Sequence, residues 1–152
     1  DIEGNTLVLF NYIEKHGTPL YELINNNIDD ARKVFFVHGG TEVEDREEVR
    51  KITETESNAV IVASYGTFST GINIKRLHNI IFASPSKSRI RNLQSIGRVL
   101  RKGEGKDMAI LYDIADDIGG QNYTLKHLNE RVNIYNDENF RYEVIKVNLR
   151  AN

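Results

Sequence analysis

The sequence predicts an α/β fold in which a parallel β-sheet is covered by helices on both faces. Two observations indicate this class: short, continuously apolar segments recur along the chain, and segments with helical periodicity lie between them. Strands that are apolar throughout, rather than alternating, are typical of strands buried on both faces. Because the carboxyl ends of such parallel strands meet at one edge of the sheet, ligands are expected at that edge.

Five segments are predicted to be strands because they are short, apolar and rich in β-branched or aromatic residues. They are TLVLF (6–10), KVFFV (33–37), AVIVAS (59–64), NIIFAS (79–84) and MAILYDI (108–114). Helical periodicity predicts three helices between these strands. They span residues 18–26, 42–56 and 88–101.

The pattern of the chain changes after residue 118. One helix is predicted at about 123–136, and the near alternation of FRYEVIKVNL predicts a terminal strand at about 140–149. Since ~30 residues rarely hold a core alone, we expect residues 119–152 to be a helix-strand appendage packed on a main domain formed by residues 1–118. The aromatic residues of this appendage are expected to pack against the domain rather than to stack on bases. They are Tyr123, Tyr135, Phe140 and Tyr142.

Composition narrows the functional classes. The chain has no apolar run long enough to span a membrane, so no membrane partner is expected. It has no cysteine, and its four histidines show no ligand spacing, so neither a disulfide framework nor a metal site is expected. The net charge of −2 does not itself suggest nucleic-acid binding, but residues 86–106 hold seven Lys or Arg and one Glu. An anionic partner is therefore expected to bind locally.

Two arginines close the predicted helix at 88–101. The string Q-x-x-G-R-x-x-R is formed by Gln94, Gly97, Arg98 and Arg101. At helical spacing Gln94 and the two arginines share one face, and paired guanidinium groups can stabilise the charge that develops on a γ-phosphate during phosphoryl transfer. Gly97 costs about 1 kcal/mol relative to Ala, which indicates that another group approaches the backbone there. The alternative is a solvated basic helix end favoured by the macrodipole.

A second polar string follows the third predicted strand. Residues 62–73 read VASYGTFSTGIN, which predicts a loop dense in hydroxyl and backbone N–H donors. Such donors are suited to holding phosphate groups.

A phosphate-binding loop of the form GxxxxGK[ST] is absent from the chain. The related string GEGKD at 103–107 follows a helix and has Asp where a Mg²⁺-binding hydroxyl belongs. Asp113 lies at the end of the fifth predicted strand, as a Mg²⁺-binding carboxylate would, but without that loop a turn or cap role is expected for it.

These strings resemble motifs of the second RecA-like domain of superfamily 2 helicases. S-x-x-x-x-S-T-G-I-N at 64–73 resembles motif V, and the string from Gln94 to Arg101 resembles motif VI, in the same order and on the same kinds of element. TLVLF is similar to motif IV, and HGG followed by Arg46 is similar to the segment that grips the nucleic-acid backbone. The resemblance spans about residues 5–117. SYGTFSTGINIKRLHNII, QSIGRVLRKG and HLNERVNIYNDENFRYEVIKVNL are further similar to the recombination and repair helicases of T-even-like bacteriophages.

The resemblance implies roles around a nucleotide. Arg98 and Arg101 would be arginine fingers that reach an ATP held, together with Mg²⁺, mainly by a first RecA-like domain that this sequence lacks. Gln94 would orient the γ-phosphate or the attacking water. The residues implied to approach the nucleotide are Gly71, Asn73 and Gly97.

The resemblance also implies two groups of DNA contacts. The segment after the second strand supplies His38, Gly39, Gly40 and Arg46. The segment after the third strand supplies Thr67, Ser69 and Thr70, which would contact the DNA backbone or couple DNA to the ATP cleft. The alternatives are that the two glycines form only a tight turn, and that Arg46 pairs with acidic neighbours on a solvated helix. Gln94 stands where the RNA-unwinding DEAD-box branch has His, which favours a DNA translocase.

The leading interpretation is the C-terminal motor domain of an ATP-dependent DNA helicase or translocase that remodels branched or hybrid duplexes. Its expected partners are DNA, branched or partly single-stranded, and an N-terminal RecA-like domain of the same protein. Its expected location is the cytoplasm, that of the host cell if the gene is carried by a phage. The chain alone is expected not to hydrolyse ATP. The alternative from another class is a non-catalytic nucleic-acid or protein-binding module, and a P-loop encoded upstream of Asp1 would favour the motor.

Overall fold

A single parallel sheet organises the chain. The computed structural model describes residues 2–69, 76–84, 109–119 and 123–149. Among these, five strands pair in the order β2-β3-β1-β4-β5, and every pairing is parallel. The strands are β1 (Thr6–Phe10), β2 (Val34–Val37), β3 (Val60–Ser64), β4 (Asn79–Phe82) and β5 (Ile110–Asp113). This arrangement confirms the predicted α/β class, and each of the five short apolar segments predicted to be a strand contains one.

Helices follow the strands as the periodicity predicts. The described helices are a π-helical turn (Ile13–Gly17), α1 (Thr18–Asn27), α2 (Val43–Thr55), α3 (Tyr65–Ser69) and α4 (Tyr123–Asp137). The helix predicted at 88–101 lies outside the described residues. No helix in the described part of the chain has the length and apolar character needed to cross a membrane.

The sheet has a buried centre and half-exposed margins. Every residue of β1 and β3 is buried, whereas β5 alternates between exposed and half-buried positions. On one face, Leu7 and Ile61 pack with side chains of α2, α3 and α4. On the other face, Val8 and Val62 pack with α1. The continuous apolar runs of β1 and β3 therefore exist because both of their faces are covered.

Two predicted elements differ from the structure. The segment predicted as a loop after β3 begins with the short helix α3, because Tyr65 and Phe68 turn toward the core. Residues 140–149 were predicted to be a strand, and this prediction is wrong: they have no regular secondary structure. None of the described strands pairs with them, and Leu149 is 90% exposed. The division of the chain at residue 118 stays a prediction.

A buried amide closes the amino-terminal edge of the sheet. The side chain of Asn5 is fully buried, and its Nδ2 donates to the carbonyl oxygens of Thr53, Glu56 and Arg76 at 3.1, 2.7 and 2.9 Å. Its Oδ1 accepts the backbone N–H of Ala59 at 2.8 Å. One side chain thus joins the start of β1 to the end of α2 and to the segments that lead into β3 and β4.

Candidate functional site at the carboxyl edge of the sheet

The segment after β2 is a tight turn. Thr41 donates its backbone N–H to the carbonyl of His38 at 3.0 Å, and its Oγ1 accepts the N–H of His38 at 3.0 Å. The imidazole Nδ1 of His38 accepts the N–H of Gly40 at 3.0 Å. A Cβ on Gly39 would meet no atom within 4 Å, and its φ is not positive. The turn therefore leaves open space at Gly39 without needing glycine for its backbone conformation.

Arg46 reaches back from α2 to this turn. Its Nε donates to the carbonyl of Thr41 at 2.8 Å. Among the described residues, no carboxylate lies within ion-pair distance of it, and neither of its Nη atoms has a hydrogen bond. The ion pairs on this helix are made by Arg50, with Glu47 and Glu54. The alternative in which Arg46 pairs with acidic neighbours is therefore not observed.

The end of β3 carries a buried pair of hydroxyl groups. Ser64 Oγ and Thr67 Oγ1 lie 2.7 Å apart, and the N–H of Thr67 donates to Ser64 Oγ at 3.3 Å. Thr67 is only 4% exposed, so its hydroxyl faces the protein rather than a backbone phosphate. Of the two roles expected for Thr67, this burial favours coupling over direct DNA contact. Gly66 next to it has space around it: a Cβ there would meet nothing within 4 Å.

The ends of β1 and β4 are fastened to each other. Asn11 donates its backbone N–H to Ser84 Oγ at 2.9 Å and its Nδ2 to the carbonyl of Ser84 at 2.6 Å. Ser84 is the last described residue before the segment that contains Gln94 and Arg98. The fastening therefore joins the segment that follows β1 to the segment that follows β4.

The end of β5 holds an ion pair that the sequence did not predict. Arg131 of α4 donates from Nε and Nη2 to the two carboxylate oxygens of Asp113, at 2.7 and 2.8 Å. Tyr135, one turn further along α4, donates its hydroxyl to Asp113 Oδ2 at 2.6 Å. Burial, and next the negative charge of Asp113, raise the pKa of the Tyr135 hydroxyl above its ordinary value.

These contacts decide the role of Asp113. Both of its oxygens accept hydrogen bonds from Arg131 or Tyr135, so it is an ion-pair partner rather than the expected turn or cap residue. Within the described ranges, no three His, Asp or Glu side chains are grouped closely enough to hold a metal ion. Arg131 and Tyr135 could have been suspected from their i, i+4 spacing on a predicted helix, which places both on one face.

One of the remaining predicted site residues lies in a described helix. Ser69 ends α3. The residues that lie outside the described ranges are Thr70, Gly71, Asn73, Gln94, Gly97, Arg98 and Arg101.

Comparison with known proteins identifies the protein family of this chain. Residues 1–103 match the family model described as "Helicase conserved C-terminal domain". The chain belongs to this family, as the second RecA-like domain of a superfamily 2 helicase. The parallel sheet flanked by helices is the architecture of such domains, which confirms the RecA-like fold expected from the sequence.

Two individual helicases are similar to the chain in sequence. The chain is 39% identical over 160 residues to the ATP-dependent DNA helicase UvsW of enterobacteria phage T4, covering 97% of this chain and 31% of that protein. It is 33% identical over 99 residues to the putative ATP-dependent RNA helicase L396 of Acanthamoeba polyphaga mimivirus, covering 64% of this chain and 17% of that protein. The chain therefore spans less than a third of the length of either relative.

Solved structures of helicases superimpose on this chain. The crystal structure of T4 UvsW superimposes with a TM-score of 0.71 at 38% identity, covering 91% of this chain and 30% of that one. Domain 2 of the DEAD-box helicase Mss116p, bound to an RNA duplex, superimposes with a TM-score of 0.66 at 16% identity, covering 87% of this chain and 48% of that one. The second likeness concerns the fold alone.

Proposed function

We propose that this chain is the C-terminal motor half of an ATP-dependent DNA helicase or translocase that acts on branched or hybrid duplexes in recombination and repair. In this proposal ATP and Mg²⁺ are held mainly by a first RecA-like domain. The present chain contributes Arg98 and Arg101 as arginine fingers, with Gln94 orienting the γ-phosphate or the attacking water. The carboxyl edge of the sheet contributes contacts to the DNA backbone.

The observation that carries the DNA contact is the position of Arg46. Its Nε is held by the carbonyl of Thr41, which fixes the guanidinium beside the turn, and its Nη atoms have no hydrogen-bond partner among the described residues. Gly39 leaves room beside it, and Gly66 leaves room at the end of the neighbouring strand β3. A guanidinium with uncommitted Nη donors and glycines without steric cover suit the close approach of a phosphate backbone.

The charges around Arg46 limit how strongly this half of the proposed motor binds DNA. The first turn of α2 carries Glu44 and Asp45, which repel a polyanion at long range. Binding at this turn therefore relies on short-range contacts. We expect weak binding by the isolated chain, and little dependence on base sequence, because backbone contacts carry no sequence information.

The experiment is a salt titration of DNA binding by the complete protein. Each phosphate contact made by a cation contributes about one unit to the slope of log affinity against log salt concentration. Arg46→Ala should reduce that slope by about 1. Arg50→Ala is the matched control, because this arginine lies on the same helix but is already paired with Glu47 and Glu54.

Two results would contradict the backbone interface. One is an Arg46→Ala slope equal to that of the wild type and of Arg50→Ala. The other is a strong preference for one of two unrelated DNA sequences of equal length. For Thr67, whose hydroxyl is neutral and buried, Thr67→Val should leave the slope unchanged while lowering DNA-stimulated ATP turnover.

A further inference from the structure

An exposed aromatic side chain follows the central strand of the sheet. The chain leaves β1 at Asn11, which is fastened to Ser84, and the next residue is Tyr12. The π-helical turn Ile13–Gly17 comes directly afterwards, and the carbonyl of Tyr12 accepts the N–H groups of His16 and Gly17 at 2.9 and 3.0 Å. π-Helices are rare, appear mostly as single turns, and are frequently found at functional sites.

The turn is fixed on the core. A Cβ on Gly17 would lie 2.5 Å from the ring of Phe10, so the backbone of the turn rests directly on that buried ring. The ring centroids of Phe10 and Phe36 are 5.8 Å apart, and those of Phe36 and His38 are 5.2 Å apart. A row of packed rings therefore connects the turn after β1 with the turn after β2, which belongs to the candidate DNA interface.

One edge of the Tyr12 side chain packs against a neighbouring ring, and the rest of the side chain is accessible to solvent. Its ring contacts that of His16 edge-on, with centroids 5.4 Å apart and an interplanar angle of 61°. Nevertheless Tyr12 is 63% exposed. The Nδ1 atom of His16 is buried and has no hydrogen-bond partner in the described part of the chain, so packing rather than hydrogen bonding orients the pair. A large ring is thus presented to solvent in a defined orientation.

We propose that Tyr12 is a stacking platform for an unpaired base of the nucleic acid strand whose backbone passes the carboxyl edge. Any base offers a flat face to an aromatic ring, so such a contact is indifferent to sequence, as the backbone contacts are. This inference rests on the proposed function, because it needs a strand at the same edge. It adds a contact to the base, which neither Arg46 nor the glycines supply.

The absence of tryptophan from the chain allows a direct test. Tyr12→Trp introduces a single tryptophan, and its fluorescence should be quenched when oligo(dT) binds but not when an abasic oligonucleotide of equal length binds. Anisotropy of a dye on each oligonucleotide reports binding independently. Tyr123→Trp is the matched control, since Tyr123 is 70% exposed but lies on α4. For unmodified oligo(dT), Tyr12→Ala should lower affinity about fivefold or more, and Tyr12→Phe should retain it.

The outcomes separate the two proposals. If the chain binds both oligonucleotides with equal affinity and without quenching at position 12, the stacking platform is wrong while the backbone interface stands. Equal quenching at positions 12 and 123 also overturns it. If neither oligonucleotide binds at low salt, the interface itself is wrong and the platform with it. Base-dependent affinity that is lost in Tyr12→Ala, with quenching confined to position 12, supports the platform.

Discussion

Arg131 and Asp113 form a two-pronged ion pair that fastens α4 to the carboxyl end of β5. The two N···O distances are 2.7 and 2.8 Å, and Arg131 is only 2% exposed. Because both groups are shielded from water, the loss of one partner leaves the charge of the other unpaired in a poorly solvated site.

Removing the cation should therefore destabilise the protein strongly. Arg131→Met keeps the length of the side chain but leaves Asp113 without its positive partner, and we expect a loss of about 3–5 kcal/mol in the free energy of unfolding. Urea denaturation measures this change. Arg50→Met, which removes two ion pairs on the surface of α2, is the control and should have a far smaller effect. Equal effects in the two variants would show that the burial of Arg131 is not decisive.

The hydroxyl of Tyr135 should make stability depend on pH in the alkaline range. Its pKa is raised in the fold by burial and by Asp113, so above the ordinary tyrosine pKa of about 10 the folded state keeps a proton that the unfolded chain releases. Stability should accordingly be complete at neutral pH and fall as the pH rises beyond about 10. Urea midpoints measured from pH 7 to pH 11 test this, and the decline should be shallower in Tyr135→Phe. The same variant should lose about 1–3 kcal/mol at pH 7, because it removes a hydrogen bond to a charged group.

Substitution of Asn5 should destabilise the fold. Asn5→Ala removes the donor to three carbonyl oxygens and the acceptor for the N–H of Ala59, leaving buried polar groups unpaired. We expect a loss of about 3 kcal/mol or more in the free energy of unfolding. Asn27→Ala is the control, because its Nδ2 bonds an exposed carbonyl on α1. Comparable thermal midpoints for the two variants would argue against the role assigned to Asn5.

The arginines of the motif VI-like string should matter for chemistry rather than for folding. In the complete protein, Arg98→Ala or Arg101→Ala should lower the kcat for ATP hydrolysis by roughly 10³-fold or more, the typical contribution of an arginine finger. DNA affinity should change much less. Arg98→Lys should restore little activity, since an ammonium group cannot reproduce the planar fork. Turnover near the wild-type rate in both alanine variants would refute the assignment.

The fold could be predicted from the sequence because strands that are buried on both faces have continuously apolar sequences. TLVLF and VIVAS are apolar throughout, and both became fully buried central strands. FRYEVIKVNL has a strand-like pattern too, yet a strand also needs a partner edge, and a sequence pattern does not say whether one is available. The short helix α3 was missed because five residues are too few for helical periodicity to be visible.

The site was less predictable because it depends on contacts between distant segments. The order of the polar strings indicated the carboxyl edge, but the ion pair between Arg131 and Asp113 joins two different elements, and no local sequence pattern reveals such a contact. Thr67 was expected among donors for phosphate, and only the position of Ser64 shows that its hydroxyl points inward. Tyr135 was expected to pack rather than to stack on bases, and its place in the core confirms this. The same expectation of packing is wrong for Tyr123, which is 70% exposed.

The position of β1 in the sheet has a consequence for how the chain folds. The first strand in sequence lies at the centre, where Thr6 pairs with Val60 on one side and with Asn79 on the other. The next strand in sequence, β2, does not pair with β1, so a chain emerging from the ribosome must keep TLVLF unpaired until the third strand has been made, and half-paired until the fourth. Long-range parallel pairing is intrinsically slow and exposes apolar segments to aggregation in the meantime. Truncation before Asn79 should therefore leave an insoluble product rather than a smaller domain.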